Sequence, residues 1–290
     1  MKFLLTMNNL SAYSRLMRLE KPIGIYLLLW PTLWALWIAA DGVPHWHYIV
    51  VFVLGTVIMR SAGCVINDFA DRKIDGQVER TKARPIPAGE VTGSEAIQLF
   101  LLLLGVAFLL VLTLDSQTVT LSFVGVLLAA SYPFMKRYTN FPQVVLGAAY
   151  SWSIPMAYMA VMADLPPDVW LLYFANLCWT VAYDTFYAMV DRNDDVKIGV
   201  KSTAIAFGDK DLFAIAMLQG LFLLFMYRAA LYLGWHWPMA VAFTLVVILF
   251  AQQLWSCRHK DRESCFKAFL NNHYVGLVIF LGLVVEHSLY

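Results

Sequence analysis

"NDFADRKIDGQVERTKARPIPAG", residues 67–89, is the most polar stretch of a chain that is otherwise overwhelmingly apolar. Of the 290 residues, 60% are hydrophobic and only 14% charged. Mean hydropathy is +0.65, far from that of a soluble domain. On both sides of the quoted stretch lie apolar runs long enough to cross a hydrocarbon core of about 30 Å, which takes about 20 helical residues. Nine are read: Ile23 to Ala40, Tyr48 to Ile66, Ala96 to Leu114, Val119 to Met135, Val144 to Met162, Val169 to Val190, Leu212 to Leu233, Trp237 to Leu254 and Phe269 to Val285, the last interrupted by Asn271, Asn272 and His273. The pattern predicts an all-α integral membrane protein, with about nine transmembrane helices.

The start, "MKFLLTMNNLSAYSR", has too little apolar length and no small-residue cleavage site for a signal peptide, so an uncleaved N-terminus is expected. Cys64, Cys178, Cys257 and Cys265 show no metal-finger spacing. A net charge of +1 argues against nucleic acid as a partner. Nineteen of the 21 Lys and Arg fall before the first span or in the loops after the second, fourth, sixth and eighth. The alternate loops carry none. Positive charge stays inside, so the N-terminus and the quoted stretch are placed in the cytoplasm. Arg60 and Arg228 are the two cations inside predicted spans.

The loop after the sixth span echoes the opening stretch. In "DTFYAMVDRNDDVKIGVKSTAIAFG", residues 184–208, Asp191-Arg192-x-x-Asp195 matches Asp71-Arg72-x-x-Asp75, and Lys201, Ile205 and Gly208 match Lys82, Ile86 and Gly89. Two related four-helix bundles around a cavity opening to the cytoplasm are therefore expected. They form one membrane-embedded domain over residues 1–290, with quasi-repeats at about 15–140 and 141–260 and a ninth helix beyond. Residues three or four apart share a helix face. That rule yields one stripe of Arg60, Cys64, Asn67, Asp71 and Asp75, and another of Asn176, Thr180, Asp184, Tyr187, Asp191 and Asp195. On a straight helix Arg60 lies roughly 16 Å below Asp71.

Carboxylates converging in a low-dielectric site repel one another unless cations compensate. Hard oxygen ligands without His or Cys suit Mg²⁺, which shares one or two carboxylates with phosphate oxygens. Arg72, Lys73, Arg192, Lys197, Lys136 and Arg137 could then bind an anion and stabilise it as it departs. Other loop cations, such as Lys210, Lys260 and Lys267, read as solvating charges, and Lys82 and Arg84 read equally well as anion ligands or as loop charges. A repeated D-R-x-x-D at the mouth of a membrane helix is too specific for a solvated face, and intramembrane ionisable groups are functional candidates.

The run Asn67, Asp68, Asp71 and Asp75 followed by "ERTKARPIPAG" resembles the first aspartate-rich motif of the UbiA superfamily of intramembrane prenyltransferases. "YDTFYAMVDRNDD", residues 183–195, is similar to its second motif, and Tyr132-x-x-x-Lys136 to its YxxxK element. The wording of both motifs is most similar to members that prenylate 4-hydroxybenzoate for ubiquinone biosynthesis. The resemblance implies that Asn67, Asp71 and Asp75 hold one Mg²⁺ and Asp191 and Asp195 a second, clamping the diphosphate of a polyprenyl diphosphate. It implies that Lys136, with Arg72 or Lys73, neutralises the leaving group and that Asp184 orients a metal-bound water or a Lys; Lys197 is a substrate-binding candidate beside them. Arg60, or Arg137 in its stead, would meet the acceptor's carboxylate, Tyr132 and Tyr187 would face the allylic cation, and Asp191 would take the phenol proton. Two rivals are a sister enzyme with a naphthoate, haem or other acceptor, and a transporter of phosphorylated lipids. The transporter would need polar residues reaching the outer face, and the stripes stop short of it.

Overall fold

The computed structural model describes residues 4–77 and 81–290. Lys2, Glu79 and Arg80, counted above among the polar residues of the cytoplasmic segments, lie outside the described residues. The described residues form helices: α1 (Leu10–Leu16), α2 (Ile23–Ala39), α3 (Trp46–Asp71), α4 (Gly93–Val111), α5 (Ser116–Met135), α6 (Pro142–Ser151), α7 (Ser153–Met162), α8 (Pro167–Ile198), α9 (Thr203–Phe207), α10 (Asp211–Leu233), α11 (Trp237–Ser256) and α12 (Arg262–Leu289).

Local chemistry sets the helix ends. Thr92 and Glu95 close a capping box at the start of α4. Asp115 accepts from the amides of Gln117 and Thr118 before α5, and Asp261 from that of Ser264 before α12. Gly199, at φ +74°, ends α8 in the left-handed conformation that glycine tolerates without a Cβ clash. The fifth predicted span is broken at Trp152 between α6 and α7. Pro155 has no N–H to donate to the carbonyl of Ser151, so the ladder cannot run through. Trp152 instead donates its indole N–H to the Leu121 carbonyl of α5 at 2.8 Å.

Seven helices among the described residues are long and apolar enough to cross a membrane, counting α6 with α7 and α9 with α10 as continuous units; α2 is shorter and apolar. The sixth predicted span falls on α8, whose 32 residues carry the polar stripe that takes it out of that set. The interruption expected in the last span does not break α12. Asn272 satisfies itself on the helix through its amide to the Ala268 carbonyl (2.9 Å), and its oxygen accepts the Trp179 indole N–H at 2.8 Å. The chain is thus an all-α, multi-pass membrane protein.

Packing places α8 at the centre, against α10, α6 and α12; α12 also packs on α11 and α2, and α3 on α4. The principal core gathers Trp34, Trp179, Tyr183, Phe186, Phe222 and Ile279 from α2, α8, α10 and α12. Trp34 stacks on Trp179 at 5.5 Å between ring centres, and its indole N–H reaches the Gly276 carbonyl at 3.0 Å. By contrast, α5 buries only Thr118 and Pro133, and α4 and α5 touch one another sparsely. The wall of the molecule is thin there.

Candidate metal-diphosphate site at the mouth of a membrane cavity

A cavity of about 1180 Å³ is bounded by α2, α3, α4, α5, α6 and α8. At one end it meets a second, of about 50 Å³, lined by Asp71, Asp75, Arg84, Lys136, Asp191 and Asp195. Both copies of the repeated motif therefore face one space. Asn67 and Asp184 line the larger cavity, as do Tyr132, Tyr187 and Arg60.

The elements deliver these groups differently. On α8 the helix continues through Ile198, so Asp184, Asp191 and Asp195 keep the spacing of one face. On α3 the helix stops at Asp71, which corrects the expectation of a single helical stripe to Asp75. Asp75 instead opens a short 3₁₀ turn, Asp75–Gln77, reached through Ile74 N–H donating to the Asp71 carbonyl at 2.8 Å. The tighter turn still leaves Asp75 buried and facing the small cavity.

Charge at the mouth is compensated by cations from three loops. Lys136, immediately after α5, donates from Nζ to Asp71 Oδ2 at 2.9 Å. Arg84 donates to Asp75 Oδ2 at 2.8 Å and to Asp68 Oδ1 at 3.0 Å, and Arg18 reaches the same Asp68 oxygen at 2.7 Å. Burial pushes the Asp75 carboxyl up, Arg84 opposes this, and the neighbouring Asp68 and Asp71 carboxylates add to the rise. Burial is the strongest single influence on the Lys136 ammonium and lowers it, but the charge of Asp71 and its hydrogen bond together outweigh this, so Lys136 is raised.

Not every predicted residue enters the site. Arg72 is exposed and turns back, its guanidinium donating to the Phe69 carbonyl at 2.6 Å and lying 4.1 Å from that ring's centre. Lys73 and Lys197 are exposed and absent from both cavity walls. Arg137 donates to the Ala70 carbonyl at 2.7 Å, which holds the loop after α5 against the end of α3. Arg192 pairs with Asp211, which Lys260 also meets at 2.8 Å. Arg84, read from sequence as one of two equal possibilities, lines both cavities. No role for Arg18 follows from the sequence, and Asp68 enters only as a member of the run with Asn67, Asp71 and Asp75.

Deeper in, Arg60 lines the cavity with Cys64, Tyr132, Tyr150 and Tyr183, and it makes no ion pair among the described residues. Gly24 of α2 makes room for it: a Cβ there would lie 2.3 Å from Arg60 Nε. Beyond, the wall is apolar, formed by Leu104, Phe108 and Val111 of α4 and Phe123 and Val126 of α5.

The donor set fits Mg²⁺. Asn67 and four aspartates supply only hard oxygens, around two adjoining cavities and beside cations that already balance their charge. Among the described residues no three His, Cys, Asp or Glu side chains are gathered into a ready-made metal cage. An ion that takes one or two carboxylates and completes its shell with phosphate oxygens and water needs no such cage.

Comparison with known proteins agrees with this architecture. Residues 28–280 match the model of the UbiA prenyltransferase family. The chain is 55% identical over 282 residues to a 4-hydroxybenzoate octaprenyltransferase of Marinomonas sp. (strain MWYL1), covering 97% of this chain and 99% of that one. It is 58% identical over 278 residues to the protein of the same name from Vibrio vulnificus (strain CMCP6), covering 94% and 96%. Among solved structures, a UbiA homolog from Aeropyrum pernix K1 shares the fold with a TM-score of 0.79 at 22% identity, over 91% of this chain and 97% of that one. One from Archaeoglobus fulgidus, bound to GPP and Mg²⁺, does so with a TM-score of 0.74 at 15% identity, over 96% and 99%. With a family match over most of its length and relatives more than half identical end to end, this chain belongs to the UbiA prenyltransferase family.

Proposed function

We propose that this protein transfers a polyprenyl group from polyprenyl diphosphate to the ring carbon ortho to the hydroxyl of 4-hydroxybenzoate, releasing diphosphate, in ubiquinone biosynthesis. The observation that carries this reading is the polarity of one cavity. Aspartates of two motifs and Lys136 crowd its mouth, a guanidinium without a carboxylate partner among the described residues sits at depth, and an apolar wall runs beside them. The 4-hydroxybenzoate octaprenyltransferases to which the chain is more than half identical support the same acceptor.

In this reading Asn67, Asp71 and Asp75 hold one Mg²⁺, and Asp191 and Asp195 the other. When bound, Mg²⁺ neutralises the diphosphate and makes it a better leaving group. Lys136 turns from Asp71 towards the departing oxygens as the C–O bond to the allylic carbon breaks, with Arg72 or Lys73 reaching the mouth only if their loop moves. Tyr132 and Tyr187 present ring faces to the developing allylic cation, and the cavity keeps water from capturing it. The acceptor's carboxylate binds Arg60, which aims its ring at the cation. Asp191 takes the phenol proton as the ring carbon forms the new C–C bond; the proton then lost from that carbon leaves with the released diphosphate, restoring aromaticity, and Asp191 returns its proton to the phenolate oxygen. Asp184 orients the groups beside it. Lys197 and Arg137 serve the loops around the mouth. The isoprenoid tail lies along the apolar wall of α4 and α5, where those helices part. The halves before and after residue 140 act as related units, each contributing one motif. The motif loops and the N-terminus face the cytoplasm of a bacterial inner membrane.

The test is product chemistry. Purified protein with polyprenyl diphosphate, Mg²⁺ and 4-hydroxybenzoate should yield the ring-prenylated acid, and chelation with EDTA should abolish it. A product formed only with a naphthoate or other acceptor would retain the site and reject the acceptor.

A further inference from the structure

Arg18 occupies a position at which glycine would serve the backbone better. Helix α1 ends in a Schellman turn: the Arg18 N–H donates to the Arg15 carbonyl and the Leu19 N–H to the Ser14 carbonyl, both at 3.1 Å. Arg18 itself has φ +59°, the left-handed conformation usually filled by glycine after a helix C-cap. A Cβ there carries a steric cost, so a residue other than glycine points to work done by its side chain.

That side chain ends on Asp68. Asp68 is fully buried and lies between Asn67 and Asp71, yet it lines neither cavity. Its Oδ1 accepts from Arg18 at 2.7 Å and from Arg84 at 3.0 Å, while its Oδ2 has no hydrogen-bond partner among the described residues. Arg18 and Arg84 both line the larger cavity. One buried carboxylate behind the wall thus gathers two guanidiniums from segments far apart in sequence. Both present planar guanidinium forks, which suit phosphate oxygens, to the cavity they line. Arg84 also reaches Asp75, so it joins this clasp to the acidic cluster.

We propose that Arg18 and Arg84 are further diphosphate-binding residues and that Asp68 is their positioning residue rather than a metal ligand; this rests on the prenyl-diphosphate reading above. The experiment uses the full-length protein in detergent and measures four quantities: melting temperature, Mg²⁺-dependent binding of inorganic pyrophosphate, KM for each substrate, and half-saturating Mg²⁺. Arg18→Gly relieves the turn and removes the fork. It should keep a native melting transition, the relieved turn offsetting part of the partner that buried Asp68 loses, yet bind pyrophosphate and polyprenyl diphosphate about tenfold more weakly or worse, a factor typical of one lost charge-assisted contact. KM for the aromatic acceptor and half-saturating Mg²⁺ should stay put, and Arg18→Lys should recover part of the loss. Asp68→Asn should weaken pyrophosphate binding with half-saturating Mg²⁺ unchanged.

Wild-type pyrophosphate affinity in Arg18→Gly would overturn the proposal. So would a rise in KM for the aromatic acceptor as large as that for polyprenyl diphosphate, which would make Arg18 a structural strut. A rise in half-saturating Mg²⁺ for Asp68→Asn as large as that for Asp71→Ala would make Asp68 a metal ligand instead. Wild-type protein that binds no Mg²⁺-pyrophosphate would sink the prenyl-diphosphate reading together with the clasp. Wild-type binding without transfer to 4-hydroxybenzoate would sink the acceptor assignment alone, while a weaker Arg18→Gly would still support the clasp.

Discussion

Arg60 is the residue on which acceptor choice turns. A guanidinium kept in a membrane cavity without an ion pair among the described residues is expensive to maintain, and an aromatic carboxylate is the anion the proposed reaction brings to it. Arg60→Ala should raise KM for 4-hydroxybenzoate roughly a hundredfold, as expected when one member of a buried charge pair is removed, while KM for polyprenyl diphosphate changes little. Steady-state kinetics with each substrate varied in turn checks this. Gly24→Ala provides an independent route to the same residue. Its new Cβ would fall 2.3 Å from Arg60 Nε and 2.5 Å from Nη2, and the flexible side chain can swing away. The variant should fold normally and show a several-fold higher acceptor KM. Unchanged acceptor kinetics in both variants would take Arg60 out of the acceptor pocket.

At the scale of elements, α2 and α12 approach each other closely. Gly276 permits it: a Cβ there would lie 2.4 to 2.7 Å from three atoms of Trp30, and its carbonyl accepts the Trp34 indole N–H. Gly276→Ala should destabilise the protein by about 1–3 kcal/mol through overpacking, seen as a lower melting temperature in detergent. The helices were legible because long apolar runs admit few other structures in lipid. The second motif was legible for the same reason: α8 remains regular from Asp184 to Asp195, so spacing maps onto one face. The first motif was only partly so, because the chain passes into a 3₁₀ turn at Asp75, where helical spacing no longer applies. The meeting of Arg18 and Arg84 on one carboxylate was hidden for another reason. Their common partner Asp68 is 50 residues from the first and 16 from the second, and no local periodicity encodes such a meeting. Nor does periodicity say that Arg72 folds back over Phe69 or that Arg192 pairs with Asp211.

Across the whole molecule, the distribution of cations and the placement of both motifs at one end of the cavity make a single topological statement. The four native cysteines are buried, so introduced thiols can report sidedness. A cysteine at exposed Lys73 should react with a membrane-impermeant maleimide only after the inner membrane is opened, and one at exposed Asp164 should react in intact spheroplasts. The reverse pattern would invert the orientation. The central claim is that two motifs, 120 residues apart in sequence as read from Asp71 and Asp191, build one catalytic site. The most direct measurement is the rate of prenyl transfer to 4-hydroxybenzoate at saturating Mg²⁺ for wild type, Asp71→Ala and Asp191→Ala, each checked for a native melting transition. Both variants should fold and each should lose at least about a hundredfold in kcat, the scale expected when transition-state charge stabilisation is removed. Near wild-type turnover in either folded variant would contradict a shared site.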